Sequence, residues 1–230
     1  GTGICSRLLS RQYPSARVVS LDCCVPMLRR GRGRAPRWLS KRAPVCADAE
    51  SLPLADNSID LLVSSLMLAS CAAPDAVLME FRRVLRPGGL LMFASLGPDT
   101  LWELRQSWLA VDSAVRVHAF IDMHDLGDAL LRAGFMDVVM DTERITGTYA
   151  QVNALHSELK RLGASNAAAG CARGLTTPAR LAAMASAYET HRNNGTLPAS
   201  FEIVFGHAWR QPSRTVDVSA HDLVAPATRP

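Results

Sequence analysis

Apolar and polar residues follow one another in a pattern that predicts helices and strands in alternation. Ile4, Leu8 and Leu9 share one face of a helix over Ile4–Gln12, and Pro14 stands just past its end. Arg17 to Leu21 reads as a short strand that stops at Asp22, and Pro26 to Arg30 as the start of a second helix. Ala43 to Ala47 is a weak strand stopping at Asp48. Ile59 to Ser64 is apolar with little alternation, the pattern of a strand buried on both faces. Val77, Leu78, Phe81, Val84 and Leu85 recur at helical spacing over Pro74 to Leu85. Arg86-Pro-Gly-Gly89 then predicts a turn, since proline fixes φ and glycine reaches values that other residues avoid. Leu90 to Ala94 is the next buried strand.

The second half continues the alternation. Asp99 to Ala110 and Met123 to Ala133 read as helices, the latter stopped by Gly134. Asp137 to Tyr149 looks extended. Gln151 to Leu162 carries Val152, Leu155, Leu159 and Leu162 on one stripe. Residues 163–176 form a loop of small residues, and Thr177 to Arg192 is a helix capped by Thr177 with Pro178 in its first turn. Phe201 to Trp209 is the last strand, and the tail after Pro212 lacks periodicity and is expected to be disordered. The alternation implies an α/β, doubly wound fold with a mostly parallel sheet covered on both faces. Its ligand site is expected at the carboxyl ends of the strands. One domain over 1–211 is expected, with 151–192 as a helical insertion and 212–230 as a tail.

Composition narrows the class. The 230 residues are 48% hydrophobic and 20% charged, which is globular rather than disordered, and long enough to bury a sizeable core. A net charge of +4 permits an acidic partner without requiring one. No apolar run reaches the roughly 20 residues of a membrane span, and no signal peptide opens the chain. A cytoplasmic location without a membrane partner is the expectation. Cysteines stand at 5, 23, 24, 46, 71 and 171 with no CxxC and no zinc-type spacing. They read as reduced and buried. The chain opens on Gly1 rather than Met, which reads as the remainder of a longer protein whose first strand came before it.

Candidate chemistry gathers where the strands end. Gly1-Thr2-Gly3 precedes a helix, and glycine there lets a ligand approach the backbone closely. Asp22 ends the next strand, nineteen residues after Gly3, where a carboxylate can accept two ribose hydroxyls. A nicotinamide dinucleotide site prefers GxGxxG, and Ser6 stands at the third position here, which leans away from NAD. Asp48 is placed to accept an adenine amino group. His124 lies between Asp122 and Asp125, and helix capping is favoured over metal binding because no second histidine follows. Trp102 and Trp108 read as packing residues. Arg29, Arg30, Arg32, Arg34, Arg37, Lys41 and Arg42 form a basic run without an acid. It is a solvated loop or a docking face for an acidic protein; no aromatic interleaving supports nucleic acid.

Taken in order, GTG, the acidic strand end, Asp48-Ala49 followed by Leu52-Pro-Leu-Ala-Asp-Asn-Ser-Ile-Asp60, and Arg83-Val-Leu-Arg-Pro-Gly-Gly-Leu90 resemble class I methyltransferases that use S-adenosylmethionine. Gly97-Pro-Asp-Thr-Leu-Trp-Glu-Leu-Arg105, Phe120-Ile-Asp-Met-His-Asp-Leu-Gly-Asp128, Asp141-Thr-Glu-Arg-Ile-Thr146, 162–167, 173–176 and Gly206-His-Ala-Trp209 narrow the resemblance. They are similar to the malonyl-acyl-carrier-protein O-methyltransferases of biotin synthesis. The resemblance implies a seven-stranded-type sheet, S-adenosylmethionine as cofactor, and acyl carrier protein bearing a malonyl thioester as partner. It implies that Gly1, Thr2 and Gly3 belong to the glycine-rich loop and that Asp22 holds the ribose. It places Asp48 and Ala49 at the adenine, and Ser64 and Ser65 at the methionine end. For the substrate carboxylate, Arg144 is the first candidate clamp, ahead of Tyr149 and His118. Ala69-Ser70 departs from the family pattern at the pocket wall. In this fold the first strand is central, so its absence would open the sheet. Methylation of another small carboxylate or a quinone precursor, and an inactive remnant, stand as alternatives.

Overall fold

Gly3 adopts φ 75° and turns the chain directly into α1 (Ile4–Gln12), whose bounds are those the Ile4, Leu8, Leu9 stripe predicts. In the computed structural model, residues 1–31, 42–163 and 176–212 are described. The loop residues 164–175 and the tail 213–230 lie outside them, as do 32–41 of the basic run. β1 (Val18–Asp22), α2 (Val25–Gly31) and β2 (Arg42–Cys46) follow α1. Then come β3 (Ile59–Ser65), α3 (Pro74–Val84), β4 (Leu85–Leu96), α4 (Trp102–Leu109) and α5 (Met123–Arg132). β5 (Phe135–Tyr149), α6 (Val152–Leu162), α7 (Pro178–Tyr188) and β6 (Leu197–Arg210) complete the chain.

The strands form two sheets where one was expected. β1 and β2 pair in parallel, and separately the order β3-β4-β6-β5 makes a four-stranded sheet. A seven-stranded, mostly parallel sheet is therefore corrected to six strands among the described residues, in one parallel pair and one mixed four-stranded sheet. Only β3 and β4 are parallel in the larger sheet. β6 runs back between β4 and β5 and is antiparallel to both, because α6 and α7 return the chain to the end of β5 from which it left.

Two local expectations change as well. Arg86–Gly89 is not a turn that ends an element but an interruption inside the β3–β4 ladder. Leu85 pairs with Ile59 and Leu90 already with Leu61, so four residues of β4 are skipped against one of β3. Gly88 at φ 75° makes that bulge possible. The helix expected from Asp99 starts at Trp102, because Asp99 to Leu101 spend their backbone on a turn in which Leu101 sits at φ 55°.

Two cores result. α3 buries Val77, Leu78, Phe81 and Val84 against one face of the larger sheet, and α5 adds Leu126 and Leu130. Each such side chain contributes roughly 1.5–3 kcal/mol. A second core lies at the other end of the long β5–β6 ladder, where α4, α6 and α7 pack Leu104, Trp108, Leu155, Leu159, Met184 and Tyr188 together. Tyr188 donates to the Pro198 carbonyl at 2.8 Å, and Ser200 donates from its backbone (3.0 Å) and hydroxyl (2.6 Å) to the buried Glu103 carboxylate. These contacts tie the helices to β6. No helix among the described residues is long and apolar enough to cross a membrane.

Candidate functional site

β1 sets the first carboxylate. Asp22 is its last residue and the ladder partner of Cys46. One carboxylate oxygen accepts the Cys24 backbone N–H at 2.7 Å, and the other accepts from the Gly1 nitrogen. At 23% side-chain exposure Asp22 stays open to an incoming group. The Thr2–Gly3 backbone lies against the end of α2: a Cβ on Gly31 would stand 2.9 Å from the Thr2 carbonyl. This close approach holds Gly1 to Gly3 beside the end of β1.

β2 delivers the second. Asp48 is exposed, and its Oδ1 accepts the Glu50 N–H at 3.0 Å. Ala49 is buried in the main core and anchors the loop from below. The loop is stapled to α3: Glu80 accepts the Leu52 N–H at 2.7 Å, and Arg83 donates to the Leu52 and Leu54 carbonyls, each at 2.8 Å. Hydrogen bonding from the Arg83 guanidinium holds the Glu80 carboxyl below its ordinary value. Cys71, after β3, reaches the same region. Burial pushes its thiol up, and the charges of Glu50 and Asp48 add to that.

Ser64 and Ser65 are neighbours on β3 and so face opposite sides. Ser64 pairs with Phe93 on the helix-covered side. Its hydroxyl is the one buried side-chain polar atom without a hydrogen-bond partner among the described residues. Ser65 pairs with Ala94 and is exposed. Leu66 follows at φ 56°, uncommon for a residue with a Cβ, and gives its N–H to the Ala94 carbonyl at 2.7 Å. It turns the chain sharply at the strand end, and neither apolar pattern nor composition announces it.

A charged cluster forms past β4. Gly97 packs so closely on Glu202 that a Cβ would stand 2.5 Å from the carboxyl carbon. Glu202 accepts the Asp99 N–H at 2.8 Å, and its backbone exchanges hydrogen bonds with the Thr100 hydroxyl. Arg144, opposite Glu202 in the ladder, is ion-paired with Asp99. Arg144 is thus exposed but already engaged by one acid, Asp99, which Glu202 in turn holds through its backbone N–H. Glu202 was missed in the sequence, although an acid inside the apolar run Phe201-Glu-Ile-Val-Phe205 was a signal.

The other candidates have different partners. Tyr149 is half-buried beside the second core, where burial first, and then a hydrogen bond with Glu158, raise its phenol. His118 stands edge-on to Phe120 with ring centroids 5.2 Å apart. Asp122 caps α5 by accepting the His124 N–H at 2.8 Å, and the His124 ring contacts the same oxygen. Trp108 is buried with the Arg116 guanidinium 4.8 Å from its ring, and Trp102 meets His191 edge-on at 5.1 Å. Arg29 and Arg30 are exposed on α2; of the rest of the basic run, Arg32, Arg34, Arg37 and Lys41 and the Arg42 side chain lie outside the described residues. The cysteines are not the buried set expected: Cys5, Cys23, Cys24 and Cys46 are exposed and Cys71 is partly so. Cys5 lies on α1, Cys23 and Cys24 just past β1 and Cys46 at the end of β2, all outside both cores, while Cys71 packs against the main one.

Among the described residues no group of three or more His, Cys, Asp or Glu could hold a metal ion. An adenosyl group fits the donor set better. Two acids at consecutive strand ends, a glycine-bearing backbone beside the first, and the unpartnered Ser64 hydroxyl are suited to a ligand rich in hydroxyl and amino groups.

Residues 1–93 match the family model described as a methyltransferase domain. A malonyl-acyl-carrier-protein O-methyltransferase of Laribacter hongkongensis is 53% identical over 222 residues, covering 93% of this chain and 74% of that protein. One from Gallionella capsiferriformans is 45% identical, covering 93% and 76%. Among solved structures, the YcgJ protein of Bacillus subtilis is similar with a TM-score of 0.63 at 16% identity, covering 92% of this chain and 88% of that one. Likeness at that identity speaks for the fold alone, an α/β methyltransferase fold.

Proposed function

Because the chain belongs to the malonyl-acyl-carrier-protein O-methyltransferase family, we propose that it methylates the free carboxylate of a malonyl thioester on acyl carrier protein, using S-adenosylmethionine. The product, a methyl ester, hides the charge so that fatty-acid enzymes can extend the primer of biotin synthesis. Identity of 45–53% over 93% of the chain carries this reading.

When bound, S-adenosylmethionine supplies an electrophilic methyl group on a sulfonium. The remaining work falls to this chain. Asp22 would accept hydrogen bonds from the ribose hydroxyls, and Gly1, Thr2 and Gly3 would give the close backbone approach. Asp48 would accept from the adenine amino group, and Ala49, buried in the main core, would hold the Asp48 loop in place for it. Ser64 and Ser65 belong to the wall at the methionine end. They cannot line it as a pair, since they face opposite sides, so the unpartnered Ser64 hydroxyl is the better donor.

A malonyl carboxylate is already ionised at neutral pH, so no general base is required. Catalysis rests on alignment and on excluding water from the oxygen. Alignment is worth roughly 7–11 kcal/mol when the reacting atoms are held in line. Arg144 is the proposed clamp: it orients the carboxylate while Asp99 shares its charge, which keeps the nucleophile from being fully neutralised. Residues 1–211 act as one catalytic unit, with α6 and α7, in the inserted stretch 151–192, packing beside the strand ends against α4.

Methyl transfer from isotopically labelled S-adenosylmethionine tests the reading. Malonyl carrier protein should accept label and free malonate should not. Preference for a free acid, or a quinone precursor, would overturn it.

A further inference from the structure

Three cysteines flank Asp22, the carboxylate assigned above to the ribose, along the chain and across the β1–β2 ladder. Cys23 and Cys24 follow Asp22 directly, and the Cys24 backbone N–H is bonded to Asp22 Oδ1 at 2.7 Å. Cys46 arrives from the neighbouring strand as the ladder partner of Asp22, and its thiol donates to the Cys23 carbonyl at 3.5 Å. All three are exposed and free of disulfides. This is a cluster drawn from two chain segments, not one cysteine, and among the described residues it has no geometry for a metal ion. The chemistry left to it is that of accessible sulfur nucleophiles, whose reaction depends on access as well as on thiolate fraction.

We propose that Cys23, Cys24 and Cys46 form a modification site for soft electrophiles at the rim of the cofactor pocket, so that an adduct there and bound cofactor exclude one another. The inference rests on the ribose reading of Asp22. An adduct on Cys23 or Cys24 stands one or two residues from that carboxylate. One on Cys46 stands opposite it in the ladder. Exclusion works in both directions: bound cofactor should slow labelling of the thiols, and an adduct on them should weaken cofactor binding. With a maleimide the step is balanced without an oxidant or leaving group. The thiolate sulfur attacks one alkene carbon, the S–C bond forms as the C=C π bond opens, and the second carbon takes a proton equivalent to the one the thiol released.

The probe is N-ethylmaleimide on the full chain, with labelling of each cysteine followed by peptide mass spectrometry, with and without saturating S-adenosylhomocysteine. Protection of Cys23, Cys24 and Cys46 by at least tenfold is expected. The labelled chain should bind S-adenosylhomocysteine at least tenfold more weakly in calorimetry. A Cys23→Ser, Cys24→Ser, Cys46→Ser variant given the same treatment should keep its affinity. The single serine variants replace it if its far-UV spectrum shows loss of folding. Equal labelling rates with and without ligand, or an unchanged Kd after labelling, overturn the inference. Asp22→Asn separates the two readings. If that variant binds as the parent does, the ribose reading fails. If it loses binding while the labelled parent binds normally, only the thiol inference falls. No binding by the unmodified chain overturns both.

Discussion

Arg144 of β5 is ion-paired with Asp99, a residue 45 positions earlier in the loop after β4. The pair joins a clamp candidate to the loop that follows β4, and Glu202 braces that loop from β6. With side chains 56% and 53% exposed, such a pair contributes about 0–1 kcal/mol to stability.

Arg144→Ala should therefore separate function from folding. Turnover of malonyl carrier protein should fall at least tenfold while S-adenosylhomocysteine affinity changes less than twofold. The melting temperature should move by no more than about 4 °C. Parallel loss of turnover and cofactor affinity would reassign Arg144 to structure.

Asp22 gives the complementary outcome. Asp22→Ala should weaken S-adenosylhomocysteine binding at least tenfold, equivalent to about 1.4 kcal/mol. Calorimetric titration reads this directly, and an unchanged Kd removes Asp22 from the ribose.

Phe93 and Gly206 are ladder partners, and a Cβ on Gly206 would stand 2.2 Å from the ring's Cζ. Gly206→Ala should cost about 1–3 kcal/mol of overpacking in urea denaturation. Phe93→Leu in the same chain should recover part of it, because the two positions share one space. A midpoint equal to the parent's would show that the ring has room to move.

The Glu80–Arg83 staple predicts an acid dependence. Because hydrogen bonding from Arg83 lowers the Glu80 carboxyl from 4.5 in the folded chain, its contribution is full above that value and is lost as pH falls through the lowered one. Glu80→Gln should be less stable than the parent at pH 7, and the difference should shrink as pH drops below about 4. A difference constant from pH 7 to pH 3 would assign the staple to the neutral hydrogen bonds alone.

Local elements were legible from spacing. The stripe of Ile4, Leu8 and Leu9 predicted α1 to the residue, Gly134 at φ 83° and Gly163 at φ 75° close the helices that end before them, and Thr177 caps α7 through the Arg180 N–H. The strand-end acids were legible for the same reason, since a carboxylate breaks an apolar run where burial stops. The Cys46 side chain was not legible, because exposure depends on what lies over a strand and no local pattern encodes that.

By itself the sequence determined which segments are helix or strand, where Asp22 and Asp48 stand along them, and to which family the ordered motifs belong. These depend on residues within one or two turns of each other, whose preferences are set by backbone sterics and side-chain period. Only the tertiary structure decided strand partners and directions, with β6 reversed between β4 and β5. It also decided that Ser64 faces the packed side while Ser65 does not, and that Arg144 meets Asp99 across 45 residues and Asp99 meets Glu202 across 103. Those relationships follow from closing long loops against a shared core, where the balance of buried area against chain entropy is a property of the whole chain and of no single segment.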